Sequence, residues 1–447
     1  MKSLRLALLL CCAAWLGPAA TFAAEAVEPR TLTLDNGLRV LLVPDPHAAA
    51  VDVSVWYEAG VRFERPPALG ISHLFEHLSG RGVAPGGNDE LRRRIEAEGG
   101  TSGAFTSADF TCFTHTVPRA ALPTVLQLEA GRLTLKPTQA MLDLERAQVR
   151  EETRARYRAN PLERGIQRLY ATAFPSHPYR WPVLGSDDDL RRITLGQCQE
   201  FMQHRYTPDH VLVTIVGDFD PDVAVRELRK GLGAVKRRGE TQTPAAEPEP
   251  RGERRAVEVG DVQAPVVIVG WRVPAGSAGD GAALDLLSAL LSRGSEARLN
   301  QSPEGGEPVT RFAQSGRDTR HDATIFWAAA AGRSVEDTAA VERHVIGQVE
   351  RLATEPVSGE ELDRARRQME VSLLFGRQSA HDRAVALGTA AMMTGDWHDA
   401  DRLLERLRAL TPADLQQAAA RTLVAARRTV VWMLPGSGST GSVGGRP

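Results

Sequence analysis

The sequence predicts an α+β fold built from two related domains that arose by internal duplication. Three observations predict it: apolar runs with the alternation of strands, charged stretches long enough for helices, and the return of the same order of segments in the second half of the chain. At 447 residues the chain is longer than one core of ordinary size accommodates, which also favours two or more domains.

Strand signals open the first half. Residues 31–34 and 38–43 are rich in Leu and Val and flank Asp-Asn-Gly at 35–37, which is typical of a tight turn between antiparallel strands. Residues 51–57 then alternate between apolar and other side chains, as strands do. A loop with Gly and Pro follows, and beyond it we expect a helix that carries the segment 73–77.

The second half repeats this order. A strand is predicted at 266–271, followed by a Pro/Gly loop and a helix at 282–291. Trp56 and Trp271 take matching places in the two patterns, 215 residues apart. That offset carries the histidines at 73 and 77 onto Ser288 and Ser292, and the glutamate at 76 onto Leu291. The second helix therefore keeps its place in the pattern without those side chains.

Later segments correspond as well. Residues 142–148 resemble 362–368 in charged helical stretches, and each half closes with an apolar strand, at 211–217 and 429–433. Between the halves, a segment rich in Pro, Glu and Arg lacks apolar periodicity, which predicts a linker. The predicted organisation is an N-terminal domain at 27–235, the linker at 236–255, a C-terminal domain at 256–435 and a disordered Gly/Ser-rich tail at 436–447.

The first residues predict export. Lys2 and Arg5 precede an apolar run at 6–16, and small residues follow it up to Ala24. This is the pattern of a secretory signal peptide at 1–24, because the run is too short to span a bilayer. The mature protein is expected to be secreted, periplasmic and without a transmembrane anchor.

Charge and cysteine content exclude one class of function and leave one question open. The formal net charge of −2 gives no basis for nucleic-acid binding. Only Cys112 and Cys198 remain after removal of the signal peptide. An oxidising compartment permits a disulfide between them, and two buried free thiols are at least as well supported.

The segment from His73 to His77 has the spacing of a metal site. Residues three and four apart lie on one face of a helix, so His73 and His77 can direct two imidazoles at one ion with Glu76 beside them. Neutral imidazoles suit zinc, and a carboxylate next to zinc-activated water suits a general base. H-x-x-E-H is the inverzincin order, although so short a pattern also arises by chance and paired histidines are often polar helix surface.

A catalytic zinc usually has a third protein ligand. The helical stretch at 138–158 offers Glu145, Glu151 and Glu152. Glu145 and Glu152 are two turns apart and share a face, whereas Glu151 points about 100° away from Glu152. Residue type and spacing alone leave the choice among them open.

Several ordered motifs resemble the pitrilysin/insulinase family of zinc metallopeptidases, in the subgroup of bacterial and mitochondrial processing peptidases. The matching segments are GISHLFEHL at 70–78, GGTSGAFTSADFT at 99–111, ERAQVREE at 145–152 and HPY at 177–179. The resemblance extends from about residue 31 to the end of the second half and is strongest before the linker. It implies two α/β-roll domains, each an antiparallel sheet packed with helices, that face each other across a cavity.

The resemblance also implies roles for individual residues. In the family the third ligand follows the second histidine by about 75 residues and another functional glutamate by seven, and Glu152 and Glu145 have these separations. The implied site holds one Zn²⁺ per chain on His73, His77 and Glu152, with Glu76 as general base and Glu145 orienting ligand or water. The implied activity is endopeptidase cleavage of peptides or unfolded polypeptide segments.

Residues 102–107 read by themselves as an ordinary strand. In the family this strand lies at a sheet edge and pairs with the substrate backbone, which implies substrate contacts from Gly103, Ala104, Phe105 and Thr106. The family usually has Asn where this chain has Gly103, and glycine cannot supply a side-chain amide.

A second departure concerns partners. The family's second half usually carries an Arg and a Tyr that hold the substrate carbonyl near zinc, but residues 300–310 contain neither and Arg311 is displaced. The chain can therefore be the zinc-bearing subunit of a two-chain enzyme whose homologous partner supplies the Arg/Tyr pair. It can also work alone or as a homodimer, or serve as a zinc-binding scaffold or peptide-binding subunit. The complete set of ligands and general base favours catalysis, because a scaffold needs no general base.

Overall fold

Two sheets, one from each half of the chain, organise the molecule. The computed structural model describes residues 28–81, 90–237, 243–274, 280–302 and 309–436. The predicted signal peptide lies outside these residues, as does all of the predicted tail except Gly436.

The first sheet has six strands. They are β1 (Arg30–Thr33), β2 (Arg39–Pro44), β3 (Val51–Tyr57), β4 (Thr101–Thr106), β5 (Thr111–Val117) and β6 (Val211–Gly217). Their order is β1-β2-β6-β3-β5-β4. The predicted turn joins β1 to β2 in antiparallel pairing, and Gly37 within it has a φ of 91°, a value that favours glycine.

The second sheet repeats the order of the first. Its strands are β7 (Arg254–Gly260), β8 (Val266–Val273), β9 (Phe312–Arg317), β10 (Thr324–Ala331) and β11 (Arg428–Pro435). They lie in the order β7-β11-β8-β10-β9, which is the order of the first sheet without a counterpart of β1. The duplicated sequence pattern thus corresponds to a duplicated topology.

One strand pair in each sheet departs from the antiparallel pairing expected. β2 runs parallel to β6, and β7 runs parallel to β11. The chain reaches β6 and β11 only after a run of helices, and a long crossover connection is what lets a strand return in parallel.

Helices fill the connections in both halves. Those of the first half are α1 (Ile71–Arg81), α2 (Glu90–Ala97), α3 (Leu122–Arg132), α4 (Gln139–Ala159), α5 (Pro161–Ala173), α6 (Asp187–Arg192), α7 (Leu195–Arg205) and α8 (Pro221–Lys230). Those of the second half are α9 (Gly281–Ser292), α10 (Thr338–Thr354), α11 (Gly359–Phe375), α12 (Ala380–Thr394), α13 (His398–Ala409) and α14 (Pro412–Thr422). Among the described helices, none is long and apolar enough to cross a membrane.

Each sheet packs one face against helices of its own half. In the first half, Val53 and Val55 of β3 share a core with side chains of α1, α3 and α7. In the second half, Val269 and Trp271 of β8 share a core with α9, α10 and α14. Because side chains alternate along a strand, every second residue of β3 and β8 points to the opposite face.

That opposite face is covered by a helix from the other half. α12 packs across β3 and β6 of the first sheet, where Leu387 joins Trp56 in an apolar cluster. α5 packs across β7, β8 and β11 of the second sheet, where Leu169 joins Ile268 in another. The two halves are therefore in direct contact through a pair of exchanged helices.

Glycine allows both exchanged helices to approach closely. A Cβ at Gly388 of α12 would overlap the Trp56 indole, and a Cβ at Gly165 of α5 would overlap the side chains of Met433 and Ile268. Glycine inside a helix costs on the order of 1 kcal/mol relative to alanine, so the close packing offsets a local loss of helix stability.

The two tryptophans that aligned the halves lie on opposite faces of their sheets. Trp56 faces α12 and its indole N–H donates to the Thr214 hydroxyl (3.1 Å), whereas Trp271 faces the helices of its own half. A shift of one residue moves a strand side chain to the other face, so the constant offset of 215 is wrong at these positions.

The segment between the halves is attached to the body of the protein. β7 starts at Arg254, two residues inside the linker predicted at 236–255. Before it, the buried carboxylate of Glu247 accepts the backbone N–H groups of Ser176 and His177 in the first half.

The cysteine question is resolved by the fold. Cys112 and Cys198 are both buried and free, so no disulfide joins them. Burial raises the pKa of the Cys198 thiol to about 12, which keeps it protonated.

Candidate metal centre

The start of α1 is set by a glycine and a carboxylate. Gly70 has a φ of +82°, and a Cβ there would meet the backbone of Gly185 at 2.7 Å, so the position requires glycine. Its carbonyl accepts the N–H of Leu74 (3.0 Å) in the first helical turn. The N–H groups of Gly70 and Ser72 both donate to Glu64, at 2.6 and 2.8 Å. α1 therefore begins at a defined place in the first half.

Three side chains from α1 and α4 meet at one point. One ligand atom from each of His73, His77 and Glu152 lies within 4.8 Å of the other two. The Nε2 atoms of His73 and His77 are 3.7 and 3.2 Å from Glu152 oxygens, and the two rings are nearly perpendicular. His73 is buried while the Glu152 side chain is 42% exposed, so the group is accessible from solvent on the α4 side.

Glu76 lies on the same face of α1. Its Oε2 accepts a 2.5 Å hydrogen bond from the hydroxyl of Thr106 on β4. The Thr106 hydroxyl is also 3.2 Å from that of Thr111, which donates to the carbonyl of Ala59. One oxygen of Glu76 is thus held by the sheet, which leaves the other for a further partner.

Glu145 and Glu151 take different places on α4. Glu145 is 2% exposed, and its Oε2 is 3.6 Å from Nδ1 of His77, on the side of the ring opposite Glu152. A carboxylate behind an imidazole is the arrangement that fixes ring orientation in metal sites. Glu151 is largely exposed and lies 3.8 Å from Arg154. The geometry brings Glu152, and not Glu151, to the histidines.

The two imidazoles have opposite pKa shifts. Burial and the neighbouring charge of His77 lower the pKa of His73 to about 4. Burial also acts to lower the pKa of His77, but its interactions with Glu145 and Glu152 outweigh burial and raise that pKa to about 9. The carboxylates thus favour one positive charge at this point, which a metal ion could supply in place of the proton.

The donor set fits zinc. Two imidazole nitrogens and one carboxylate oxygen are ligands of known catalytic zinc sites, which keep a further position open. No other group of three or more potential metal ligands comes together in the described part of the chain. His73, His77 and Glu152 are the residues that would hold the ion. Burial raises the pKa of Glu76 beside them, although the Thr106 hydrogen bond acts in the other direction.

β4 lies along the edge of this site. It is the outermost of the described strands on its side of the sheet and pairs only with β5 among them. Gly103, Ala104 and Phe105 are exposed at this edge. Phe105 packs edge-on against Trp56 under α12, whereas the Thr106 side chain points to α1. The outer edge of the predicted substrate strand thus has no strand partner among the described residues, but the Thr106 hydroxyl is already engaged.

The segment without the family's Arg and Tyr leads into β9. Residues 303–308 lie outside the described part of the chain. Thr310 is buried and its hydroxyl donates to the carbonyl of Leu299 (2.9 Å). Arg311 is exposed, and its backbone N–H donates to Ala331 at 2.9 Å. This part of the second half thus presents a solvent-facing guanidinium at the start of an edge strand.

Sequence reasoning missed three contacts to α1. Family resemblance implies that Thr106 contacts the substrate. No sequence signal pairs Thr106 with Glu76, because that contact depends on how β4 lies against α1. Glu64 and Arg132 look like ordinary charged residues in the sequence. Their burial, to 2% and 1% exposure, arises only in the fold.

Family comparison covers both halves of the chain. Residues 39–187, which include α1 and α4, match the family described as "Insulinase (Peptidase family M16)". Residues 192–369, which include α9, match the one described as "Peptidase M16 inactive domain".

Relatives extend over most of the chain. It is 29% identical to the zinc protease PqqE of Helicobacter pylori over 375 residues, 82% of this chain and 84% of that protein. It is 24% identical to the uncharacterized zinc protease YmxG of Bacillus subtilis over 387 residues, 85% of this chain and 91% of that one. Over 211 residues, 47% of this chain and 45% of the other, it is 25% identical to the mitochondrial-processing peptidase subunit beta of Dictyostelium discoideum.

Solved structures share the fold. A crystal structure of a protease from Helicobacter pylori has a TM-score of 0.85 and 27% identity, and the match covers 91% of this chain and 99% of that one. A peptidase M16 inactive domain from Pseudomonas fluorescens has a TM-score of 0.82 at 18% identity, with 94% and 100% covered. Matched in both halves by family patterns and along most of its length by zinc proteases, the chain belongs to the pitrilysin/insulinase family, peptidase family M16.

Proposed function

We propose that this protein is a zinc-dependent metalloendopeptidase that cleaves peptides or unfolded polypeptide segments. The observation that carries the proposal is the meeting of His73, His77 and Glu152, with Glu76 on the same helix face as the histidines. Relatives named as zinc proteases support it. One zinc ion per chain, when bound, would supply a Lewis acid that polarises the scissile carbonyl and makes water more acidic.

The chain's own residues would move and position protons. Glu76 accepts a proton from the attacking water and passes it to the leaving amine, and its raised pKa suits both steps. Thr106 holds one oxygen of Glu76 and so restricts the carboxylate to one orientation. Glu145 orients the His77 ring from the side opposite Glu152.

The proposed substrate contact is the outer edge of β4. An extended peptide paired there gains affinity through main-chain hydrogen bonds, to which Gly103, Ala104 and Phe105 would contribute their backbones. Such pairing favours unfolded segments, because the backbone groups of a folded protein are already paired. The exposure of these three residues on a strand that pairs only with β5 among the described strands supports this part of the proposal.

The decisive experiment compares the wild-type mature chain with Glu76→Gln. Zinc content is measured by elemental analysis, and cleavage of a peptide library is followed by mass spectrometry. The variant should keep one zinc per chain and lose roughly 10²–10⁴-fold in turnover, the usual contribution of a general base. Unchanged turnover would exclude Glu76 as the base, and a wild-type chain without zinc would exclude the proposal.

The chain is further proposed to be the zinc-bearing subunit of a two-chain enzyme. Residues 300–310 lack the Arg/Tyr pair of the family, and one relative is named as a subunit. Cleavage is therefore assayed with and without a homologous chain encoded nearby, and the mass of each species is measured in solution. A large gain on mixing supports the heterodimer, whereas full turnover by this chain alone or as a homodimer contradicts it.

A second candidate is a zinc-binding scaffold or peptide-binding subunit without catalysis. Two observations favour it: the match of residues 192–369 to a domain described as inactive, and the missing amide at Gly103. The hydrogen bond between Thr106 and Glu76 weighs against it, because a scaffold needs no oriented carboxylate. Zinc binding without cleavage, alone and with the partner, would select this candidate.

Export to the periplasm is also part of the proposal. The support is the positively charged start, with Lys2 and Arg5, ahead of a short apolar run and small residues. The protein recovered from the periplasmic fraction of the source cells should begin between residues 24 and 27. An intact N-terminus in the cytosolic fraction would contradict it.

A further inference from the structure

The described part of α1 is held near both of its ends by buried side chains from outside the helix, the carboxyl group of Glu64 and the guanidinium of Arg132. At its N-terminus, one oxygen of Glu64 accepts the N–H of Gly70 and the other accepts that of Ser72. The first N–H groups of a helix have no partner within it and form the positive end of its dipole. The carboxyl group of Glu64 therefore satisfies two donors at the positive end of the helix. Burial raises its pKa to about 7, although the two N–H groups act in the other direction.

Near the last described residue of α1, Arg132 of α3 donates to the carbonyl of Ser79 at 2.5 Å. The carbonyl groups of a helix point towards its negative end, where a cation is favourable. The Arg132 guanidinium lies 3.5 Å from the centre of the Phe113 ring on β5. α1 thus has a buried carboxyl group at its start and a buried guanidinium near its last described turn.

Arg132 is itself tied to the core of the first half. Its guanidinium donates twice to Glu129, at 2.6 and 2.9 Å, and Glu129 lies 2.7 Å from Nε2 of His115 on β5. Burial acts to raise the pKa of Glu129, but Arg132 and His115 outweigh it and hold that pKa at about 2. The guanidinium that contacts Ser79 of α1 is therefore anchored to the sheet.

At the start of α9, the corresponding helix of the second half, no carboxylate of the described residues accepts the first N–H groups. The N-cap residue of α9, Asp280, makes no side-chain capping hydrogen bond. α9 also contains no histidine and is buried on most sides by apolar residues. Among the described residues, a carboxyl group accepts the first N–H groups of α1, the helix with the candidate ligands, but none accepts those of α9.

Stability alone is a weak reason for two buried charges. Replacing a buried ion pair with apolar side chains of similar volume is often neutral or stabilising. Ligands on separate elements, in contrast, must be held to within about 0.5 Å for a metal site to form well. His73 and His77 are on α1 and Glu152 is on α4, so a slide of α1 along its axis would separate the three ligand atoms.

We propose that Glu64 and Arg132 are positioning residues that fix α1 along its axis and thereby set the geometry of the metal centre. The inference rests on the proposed zinc site and extends it to two residues that are not among its ligands. Because each acts through a backbone group of α1, its loss should alter the site while the three ligands remain in the chain.

The test uses Co²⁺ in place of zinc, because the visible spectrum of cobalt depends on the number and arrangement of its ligands. Glu64→Gln removes the charge and keeps the size, whereas Arg132→Lys keeps the charge and loses the planar fork. Both variants should change the cobalt spectrum and weaken zinc binding by about tenfold or more, measured by competition with a chromophoric chelator. Glu64→Asp, which keeps the charge, should recover part of the affinity.

Glu342→Gln is the matched control for lost buried charge. Glu342 is a buried carboxylate of the second half that accepts from Arg255 and Trp432. It should lower the thermal stability without changing the cobalt spectrum or the zinc affinity. If the Glu64 and Arg132 variants behave like this control, the inference is overturned. If the wild-type chain binds neither metal, the proposed function fails instead.

Discussion

The two halves of this chain present different polar groups at similar places in the same topology. On α1, the histidines and glutamate of segment 73–77 lie beside Thr106 of the edge strand β4. On α9, Ser288 and Ser292 lie beside Ser315 of the edge strand β9, and their hydroxyls are 3.1 and 2.8 Å, respectively, from that of Ser315.

The difference lies in how much of each group is already paired. The Ser315 N–H donates to Ser292, and its hydroxyl approaches the Ser288 carbonyl at 2.9 Å, so the serines satisfy one another. In the first half, the buried Nδ1 of His73 has no hydrogen-bond partner among the described residues. The comparison teaches that this topology accommodates either a closed polar cluster or a ligand set, and that a few side chains decide between them.

The largest effect on zinc affinity is expected when the carboxylate of Glu152, the candidate ligand on α4, is removed. Glu152→Gln should weaken zinc binding by on the order of 100-fold or more, because a charged ligand becomes a neutral amide. Glu151→Gln, on the neighbouring exposed side chain, should leave the affinity unchanged in the same chelator competition. The opposite ranking would mean that the ligand on α4 is one residue away.

The exchanged helices offer the next comparison. Gly388→Ala should lower the free energy of unfolding by about 1–3 kcal/mol, because the added Cβ meets the buried, rigid Trp56 indole. Gly165→Ala should cost less, because the flexible thioether of Met433 can move aside. Urea denaturation measures the free energy of unfolding of both variants. Equal losses would show that the side chains around Gly388 and Gly165 accommodate an added Cβ equally well.

The hydroxyls on the two edge strands have different partners: Thr106 on β4 contacts the proposed general base, whereas Ser315 on β9 contacts serines of α9. Thr106→Val should lower kcat about tenfold, or about 1.4 kcal/mol, because Glu76 loses the hydrogen bond that orients it. Thr106→Ser should restore kcat, and Ser315→Ala on β9 should have no effect on it. A change mainly in KM or zinc content would place Thr106 in substrate or metal binding instead.

The smallest expected effect is a pH dependence of the free energy of unfolding, which we expect from the docking of α12 but not from that of α5. The Nδ1 of His381 on α12 is 2.9 Å from the buried carboxylate of Asp52 on β3, a hydrogen bond that raises the pKa of His381. The folded pKa is then above the unfolded one, so this contribution to stability is complete below about pH 6.5 and is lost as the pH rises through the folded pKa.

The measurement is the free energy of unfolding of wild type relative to His381→Gln across this range. The difference should fall as the pH rises from about 6 to about 8. α5 docks with an ion pair that contains no imidazole, Arg164 and Glu258 at 3.0 Å, so Arg164→Gln should show no such slope. A difference between wild type and His381→Gln that is independent of pH would contradict the assignment.

Local features of the site could be predicted from the sequence. His73 and His77 share a face because the helix repeat is local, and the turn at 35–37 sets the pairing of β1 with β2 for the same reason. Glu152 could be chosen over Glu151 only through family resemblance, because the fold of about 75 intervening residues brings α4 to α1.

Contacts between distant elements could not be predicted. Glu64, Arg132 and Thr106 reach α1 through tertiary packing that leaves no periodic signal in the sequence. The amphipathic patterns of α5 and α12 likewise do not indicate which sheet each helix covers. Trp56 and Trp271 point to opposite faces of their sheets because the two strands are aligned with a shift of one residue. Similar strand patterns in the sequence do not indicate that shift.

The exchange of α5 and α12 bears on the origin of the molecule. A single half that lacks the helix of the other would expose the apolar residues of its sheet that this helix now covers, which favours association of two copies over a monomer. Two copies trading one helix each would have covered both faces, as in domain swapping, and fusion of their genes yields the present chain. The two copies could then diverge in their chemistry, one keeping ligands and the other serines, only while each continued to supply the helix that its sister requires.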